Sequence, residues 1–570
     1  MSNCEFVALS YVWGGRQTSP SYVEEATRDN IKYLSSKGLG ELPKTVEDAI
    51  SVCKHLNKKY LWVDRYCIVQ DDDEHKHSQI LAMANIFTAS DLTIIACSGA
   101  NVESELPGVE EKRQGKLHRI NLDGVELIHG PPNFRPSVMK SIWNSRGWTY
   151  QEAVLARKKL FITPTKASFE CMQERKDEES SADKWPDFKT DLRSPEDNKK
   201  NTLYGDYCRH LESYTSRQLS YDEDIYDAFN AITHALYRGR SFHFGIPESQ
   251  FDEGLLWRCK SFPCCESNDR EISEISGNDQ INIDRYLRFC KQTTPTWTWA
   301  SVRWPVTFGR ADAFAMTLVK WIMYKHDNSN MQPIAITINA ADEPSQWLRW
   351  ENHRGMFIKR DGCCPQLYFA LAIEEGCFEA AIECSIPKRD SFPKLRKRFT
   401  KRWPKYMNAY AEISDISSKE GPRSEGVLFT RAQCALFSFN AHWIKDSEGN
   451  AIGQVRSDPR LHQIQAATAS PNLSMEFIAL SISSYHDEDI LIRHNKPNLH
   501  RKYPDLKYAK EEWRDMTYFD CNDLPLLPVP AVNVMLICWE GDIARRITIG
   551  IIVLKQWAKA ERKFKDVWLK

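Results

Sequence analysis

A chain of 570 residues is too long for one compact core, so two to four domains are expected. Its 76 basic residues stand against 77 acidic ones, a net charge of −1, which excludes a global polyelectrolyte and makes any nucleic-acid or membrane contact a local matter. A hydrophobic content of 42% with 11% aromatic residues excludes a disordered chain.

From the N-terminus, "MSNCEFVALSYVWGG" has neither a basic leader nor a long apolar stretch. "FVALSYVW" is an apolar run of strand length. "LPKTVEDAISVCKHL" follows with Val46, Ala49, Ile50, Cys53 and Leu56 at helical spacing, and with Thr45 and Asp48 placed as a capping box. "YLWVDRYCIV" reads as a second strand with Asp64 near its end. "DDDEHKHSQILAMANIF" reads as a helix with acids in its first turn, facing inward through Ile80, Ala84 and Phe87. "DLTIIACS" is a third strand, and "KLFITPTKASFECM" supplies one or two more. Strand and helix in alternation predict a parallel sheet covered by helices over 1–175, with functional residues at the carboxyl ends of the strands.

Residues 176–203 are charged and proline-punctuated, as in a linker or long surface loop. A helical segment is expected over 204–260 and a β-rich domain over 261–570. In that domain "TWTWASV" places Trp297 and Trp299 on one strand face, and "VNVMLICWEGDIARRITIGIIVL" forms a hairpin around Gly541-Asp542. Its longest apolar runs, "VNVMLICW" and "ITIGIIVL", are strand-length, so no transmembrane segment is expected. Seventeen cysteines without a CxxC pair, and without a secretory leader, indicate a reduced intracellular protein, cytoplasmic or nuclear.

Several residues invite a functional reading, each with a plainer one beside it. Trp13 and Gly14 suit a ligand-facing turn, or a tight turn with a core tryptophan. Asp64 suits a functional acid, or a cap. His75 and His77, at i and i+2 on a helix, point apart, and no metal is expected. In "SRGWTYQEAVL", Glu152 is either the closing member of a capping box begun by Thr149 or a group that does chemistry. "PKLRKRFTKRWPKY" (393–406) is rich in basic residues, without an acid, and interleaved with Phe399, Trp403 and Tyr406. It suits a weak anionic partner such as RNA or acidic lipid, or a solvated basic face.

Four blocks in order, "ALSYVWG" (8–14), "LPKTVEDAI" (42–50), "YLWVDRYCIVQDD" (60–72) and "SRGWTYQE" (145–152), give the chain a resemblance to fungal heterokaryon-incompatibility (HET) domain proteins. "YTSRQLSYDEDIYDAFNAI", "PTWTWASV" and the closing "NVMLICWEGDIARRITIGII" resemble segments that follow the domain in such proteins. Arg65 departs from the family pattern, which more often has a small residue there, and the chain begins so close to the first strand that an abbreviated N-terminus is expected.

The resemblance implies a role in non-self recognition and regulated cell death. Partners would be another copy of the chain, or another incompatibility or signalling protein. The family's domain is considered a distant relative of the Toll/interleukin-receptor (TIR) fold, which implies a flavodoxin-like sheet. "WTYQE" is similar to the Trp-x-x-x-Glu segment of TIR domains, whose glutamate is catalytic in the members that cleave NAD. By that resemblance Glu152 is the catalytic candidate and NAD a substrate, with no cofactor required. Nicotinamide leaves a cationic pyridinium as a neutral molecule, so one carboxylate suffices where ordinary glycosides need two. Tyr11, Trp13, Trp62 and Trp148 would wall the departing ring, Asp64 and Gly14 would border the site, and Arg16 or Arg146 would meet the pyrophosphate. The absence of GxGxxG argues against hydride transfer. The rival reading is a non-enzymatic assembly module in which Glu152 only caps its helix.

Overall fold

The computed structural model describes residues 4–14, 25–37, 40–110, 118–122, 125–129, 134–171, 173–178, 203–260, 294–308, 314–319, 321–327, 330–336, 421–422, 424–440, 442–467, 473–485 and 529–570. They fall into two compact units, Met1–Gly239 and Arg240–Lys570.

The first unit is built on a six-stranded sheet. Its strands are β1 (Val7–Ser10), β2 (Leu61–Trp62), β3 (Leu92–Ala96), β6 (Lys158–Ile162), β7 (Ala167–Cys171) and β8 (Arg175–Asp177), while β4 (His118–Leu122) and β5 (Val125–His129) pair as a separate hairpin. The order is β2-β1-β3-β6-β7-β8. The pairs β1 with β2, β1 with β3, and β3 with β6 are parallel, whereas β6–β7 and β7–β8 are antiparallel. The sheet is therefore mixed, where the alternating pattern predicted a parallel one. Only a short turn separates β6 from β7, and a parallel crossover needs a dozen residues or more.

Every residue of β1 and β3 is buried, as central strands covered on both faces require. Val7, Leu9 and Tyr11 pack with Val46, Ala49 and Cys53 of α2 (Lys44–His55) on one face. On the other, Ala8 packs with Met83 and Phe87 of α4 (Asp73–Ala89) and Leu155 of α7 (Gly147–Leu155). The chain leaves β1 toward β2 on one side and reaches β3 and β6 on the other, and right-handed crossovers then put helices on both faces. The carboxyl ends of β1 and β3 are thereby a topological switch point.

Two local expectations need correction. The second strand stops at Trp62, because the amides of Tyr66 and Cys67 turn back to Val63 O at 3.0 and 2.8 Å and Asp64 opens the short helix α3 (Asp64–Cys67). Thr45 and Asp48 form no capping box: α2 begins at Lys44, Thr45 Oγ1 donates to Ser104 O at 2.5 Å, and Asp48 accepts from the Leu106 amide at 2.7 Å and pairs with Lys44 at 2.8 Å. The stretch read as a linker opens with β8, and residues 179–202 lie outside the described residues. The unit is completed by α1 (Ile31–Lys37), α5 (Phe134–Met139), α6 (Ile142–Ser145), α8 (Leu203–Thr215) and α9 (Asp227–Tyr237).

The second unit is β-rich, and no described helix is long and apolar enough to cross a membrane. Pairings run from 428–440 to 473–485, 529–540, 543–553, 451–455 and 443–445, and from there back to 428–440. That circuit closes the sheet on itself, which removes edges for those strands. The hairpin at Gly541-Asp542 is present, with Gly541 at φ 61°. "TWTWASV" is not a strand: Thr298 caps a 3-10 turn over Trp299–Ser301, and Trp297 and Trp299 are both buried.

Candidate functional site

Helix α7 lies over the carboxyl end of β1 and delivers Glu152 to Ser10. The Glu152 carboxylate, 6% exposed, accepts from Ser10 Oγ through Oε2, and Trp143 Nε1 donates to the same Oγ at 2.7 Å. The capping-box reading of Glu152 is thereby corrected. The helix starts at Gly147, Thr149 is already its third residue, and the Thr149 hydroxyl bonds the Trp143 and Arg146 carbonyls at 2.7 and 2.9 Å. The Glu152 side chain turns to Ser10 instead, and no side-chain cap closes the start of this helix.

A second carboxylate stands nearby. Asp64 Oδ2 accepts from Trp13 Nε1 at 2.8 Å, and its Oδ1 accepts from the Arg65 amide at 2.7 Å. The Arg65 guanidinium lies 4.9 Å from the centre of the Trp13 ring. Arg146 donates from Nη1 to Tyr11 O at 2.9 Å, so its positive charge sits at the end of β1 and acts on both carboxylates. Arg217 reaches in from the chain after α8, bonding Asn144 Oδ1 at 2.6 Å and lying over the Tyr150 ring at 4.6 Å.

Burial raises the Glu152 pKa to about 7, with the Asp64 charge acting in the same direction. The Ser10 hydrogen bond, Arg146 and Arg217 oppose that rise. Burial also raises the pKa of Asp64, against its hydrogen bonds from the Arg65 amide and Trp13. The Tyr11 phenol is held well above its usual value by burial and then by Asp64. Burial lowers Arg217 to about 10. The cluster thus offers one buried carboxylate poised between its two protonation states near neutrality, with a second acid and two arginines acting on it.

Of the residues singled out from sequence, Tyr11, Trp13, Asp64, Arg146 and Glu152 converge here. Gly14, at φ +79°, turns the chain against Asn101, in the loop after β3. Trp62 packs edge-on to Phe87 at 5.6 Å in the cluster under α4, and Trp148 joins the same cluster with its Nε1 bonded to Asp224 at 2.9 Å. Neither tryptophan is among the hydrogen-bonded partners of Glu152. Arg16 and the basic stretch 393–406 lie outside the described residues. Sequence reading missed Ser10, Trp143 and Arg217. Ser10 carried a weak signal, as a polar residue inside an otherwise apolar strand run.

Residues 6–152, the span from β1 to Glu152, match the family model described as "Heterokaryon incompatibility protein (HET)". This span is similar to a HET domain. Within the first unit, that HET match begins just before the central strand and ends on the glutamate of the site. Among curated proteins the chain is similar to heterokaryon incompatibility protein 6, OR allele, of Neurospora crassa. The two are 28% identical over 100 residues, covering 16% of this chain and 14% of that protein. No solved structure matches the chain.

Proposed function

We propose that the HET domain hydrolyses NAD at the bond between nicotinamide and ribose, and that the protein acts through this in fungal incompatibility and regulated cell death. In the reaction the C1′–N bond breaks and its electron pair leaves with nicotinamide. Water adds to C1′ and loses a proton, giving ADP-ribose. Ionised Glu152 stabilises the ribosyl cation between these events, in surroundings where the absence of water strengthens the attraction. The observation that carries the reading is the buried Glu152 carboxylate at the switch point of β1 and β3. The parallel strands run in the order with which flavodoxin-like sheets begin, and ligands of such sheets bind at that crevice. Arg146 supplies positive charge for the pyrophosphate, and Trp13 an aromatic face.

The test is nicotinamide release from NAD by full-length protein, concentrated or fused to an oligomerising tag, since self-association is part of the reading. Wild type is expected to turn over, with a rate that rises as pH passes through about 7, where Glu152 ionises. Glu152→Gln retains an acceptor for Ser10 and is expected to lose roughly 10²–10³-fold. If no assembled form releases nicotinamide, the domain works by binding partners, and the enzymatic reading is abandoned.

A further inference from the structure

Trp143, Ser10 and Glu152 form a chain of hydrogen bonds whose direction is set by chemistry alone. Trp143 Nε1 donates to Ser10 Oγ, and Ser10 Oγ bonds Glu152 Oε2. An indole N–H donates and never accepts. Trp143 therefore occupies a lone pair of Ser10 and leaves the hydroxyl's single proton for Glu152 Oε2. Ser10 and Trp143 are 0% and 1% exposed, so water does not compete for these positions. Trp143 is itself fixed, packed edge-on to Phe161 at 6.2 Å, while its carbonyl accepts from Thr149 Oγ1 on α7.

We infer that Trp143 and Ser10 are positioning residues that act as a one-way relay on Glu152, holding Oε2 as a permanent acceptor and making Oε1 the oxygen that takes up or releases a proton and meets the ribose. Among the described residues Oε1 has no hydrogen-bond donor. When Glu152 is protonated and Ser10 keeps donating to Oε2, the acid proton sits on Oε1; the alternative, a protonated Oε2 donating to the second lone pair of Ser10, would turn the Ser10 proton away and break the relay. When Glu152 is ionised, Oε1 is an acceptor. The charged groups acting on it are Asp64 from α3, Arg146 before α7 and Arg217 after α8. The identity of the ribose as ligand rests on the NAD reading above, whereas the relay does not.

The experiment follows the indole N–H resonance of Trp143 in full-length protein across about pH 5 to 9. The resonance is assigned by its loss in Trp143→Phe. In wild type it is expected to shift with a midpoint near 7, as the proton on Glu152 changes the strength of the Ser10 bond. The shift should vanish in Glu152→Gln, and in Ser10→Ala despite a titratable Glu152. Ser10→Ala should also move the midpoint of nicotinamide release up by about 1–2 pH units, lowering kcat at pH 7 with KM little changed. Ser10→Cys, similar in size but a weak donor, should move it the same way by less, and provides the comparison if the alanine variant melts early. A Trp143 resonance that titrates equally in wild type and Ser10→Ala overturns the relay, as does one that stays still in wild type. A relay signal without nicotinamide release supports the positioning role and removes the NAD reading instead.

Discussion

Gly14 turns the chain out of β1 with φ +79°, and a Cβ built there would lie 2.5 Å from Asn101 Cβ. The close approach that makes glycine necessary is to the loop after β3, which closes the far side of the switch point. Gly14→Ala is expected to lower stability by about 1–3 kcal/mol, from left-handed strain and the clash together, measured as a shift in the denaturation midpoint. Single residues also show how far mere proximity, as distinct from role, was readable in the sequence. Tyr11, Trp13, Asp64, Arg146 and Glu152 were legible because a parallel strand's carboxyl end is a small target, and polar residues near it have few other destinations. Trp62 and Trp148 were not, because a tryptophan at a strand or helix end has apolar surface on either side. Here the cluster of Ala8, Met83 and Phe87 takes both.

The corner between α6 and α7 is held by a segment 70 residues downstream, which no local pattern announces. Gln218 bonds Ser145 O at 2.6 Å and accepts from the Gly147 amide at 2.7 Å, while Arg217 reaches Asn144 Oδ1 and the Arg146 carbonyl. Gly147 leaves room for this, since a Cβ there would meet Leu219 at 2.5 Å. Arg217→Ala strips several of these partners and should cost about 2 kcal/mol. It also removes a positive charge that holds the Glu152 pKa down, so the pH midpoint of any Glu152-dependent signal should move up. A variant that unfolds more easily without moving that midpoint would confine Arg217 to a scaffold role. Elements follow the same rule. β1 and β3 were legible as continuous apolar runs. Both capping boxes misled, because a Thr-x-x-acid pattern does not fix where a helix starts. The hairpin of β4 and β5 went unread although its signal was there, with Ile120, Leu122, Val125 and Leu127 alternating with polar residues around Asp123-Gly124.

Across the whole molecule, the two units should respond to acid in different ways. In the first, the Glu152 pKa is raised from 4.5 to about 7, so its contribution is fully present below about 4.5 and is lost as pH rises through 7, by roughly 3 kcal/mol. His210 on α8, bonded through Nδ1 to the Tyr150 hydroxyl at 2.9 Å, has its pKa lowered by burial to about 4. Its contribution is present above 6.5 and is lost as pH falls through 4, again by roughly 3 kcal/mol. The two windows overlap with opposite slopes, so these two contributions nearly cancel between pH 4.5 and 6.5, and the slope that remains in the first unit comes from Asp64 and Asp224, which burial also raises. In the second unit His243, also lowered to about 4 by burial, pushes stability down with acid. Amide exchange reads the units separately. Protection in β1 and β3 should hold or rise with acid over this range, while protection in the strands 529–540 and 543–553 falls. Glu152→Gln removes one of the opposing slopes, so the first unit should become acid-sensitive like the second. A first unit whose response is unchanged in that variant would mean that Glu152 titrates as an ordinary carboxylate. A buried, near-neutral Glu152 would then be lost as the basis for chemistry at the switch point.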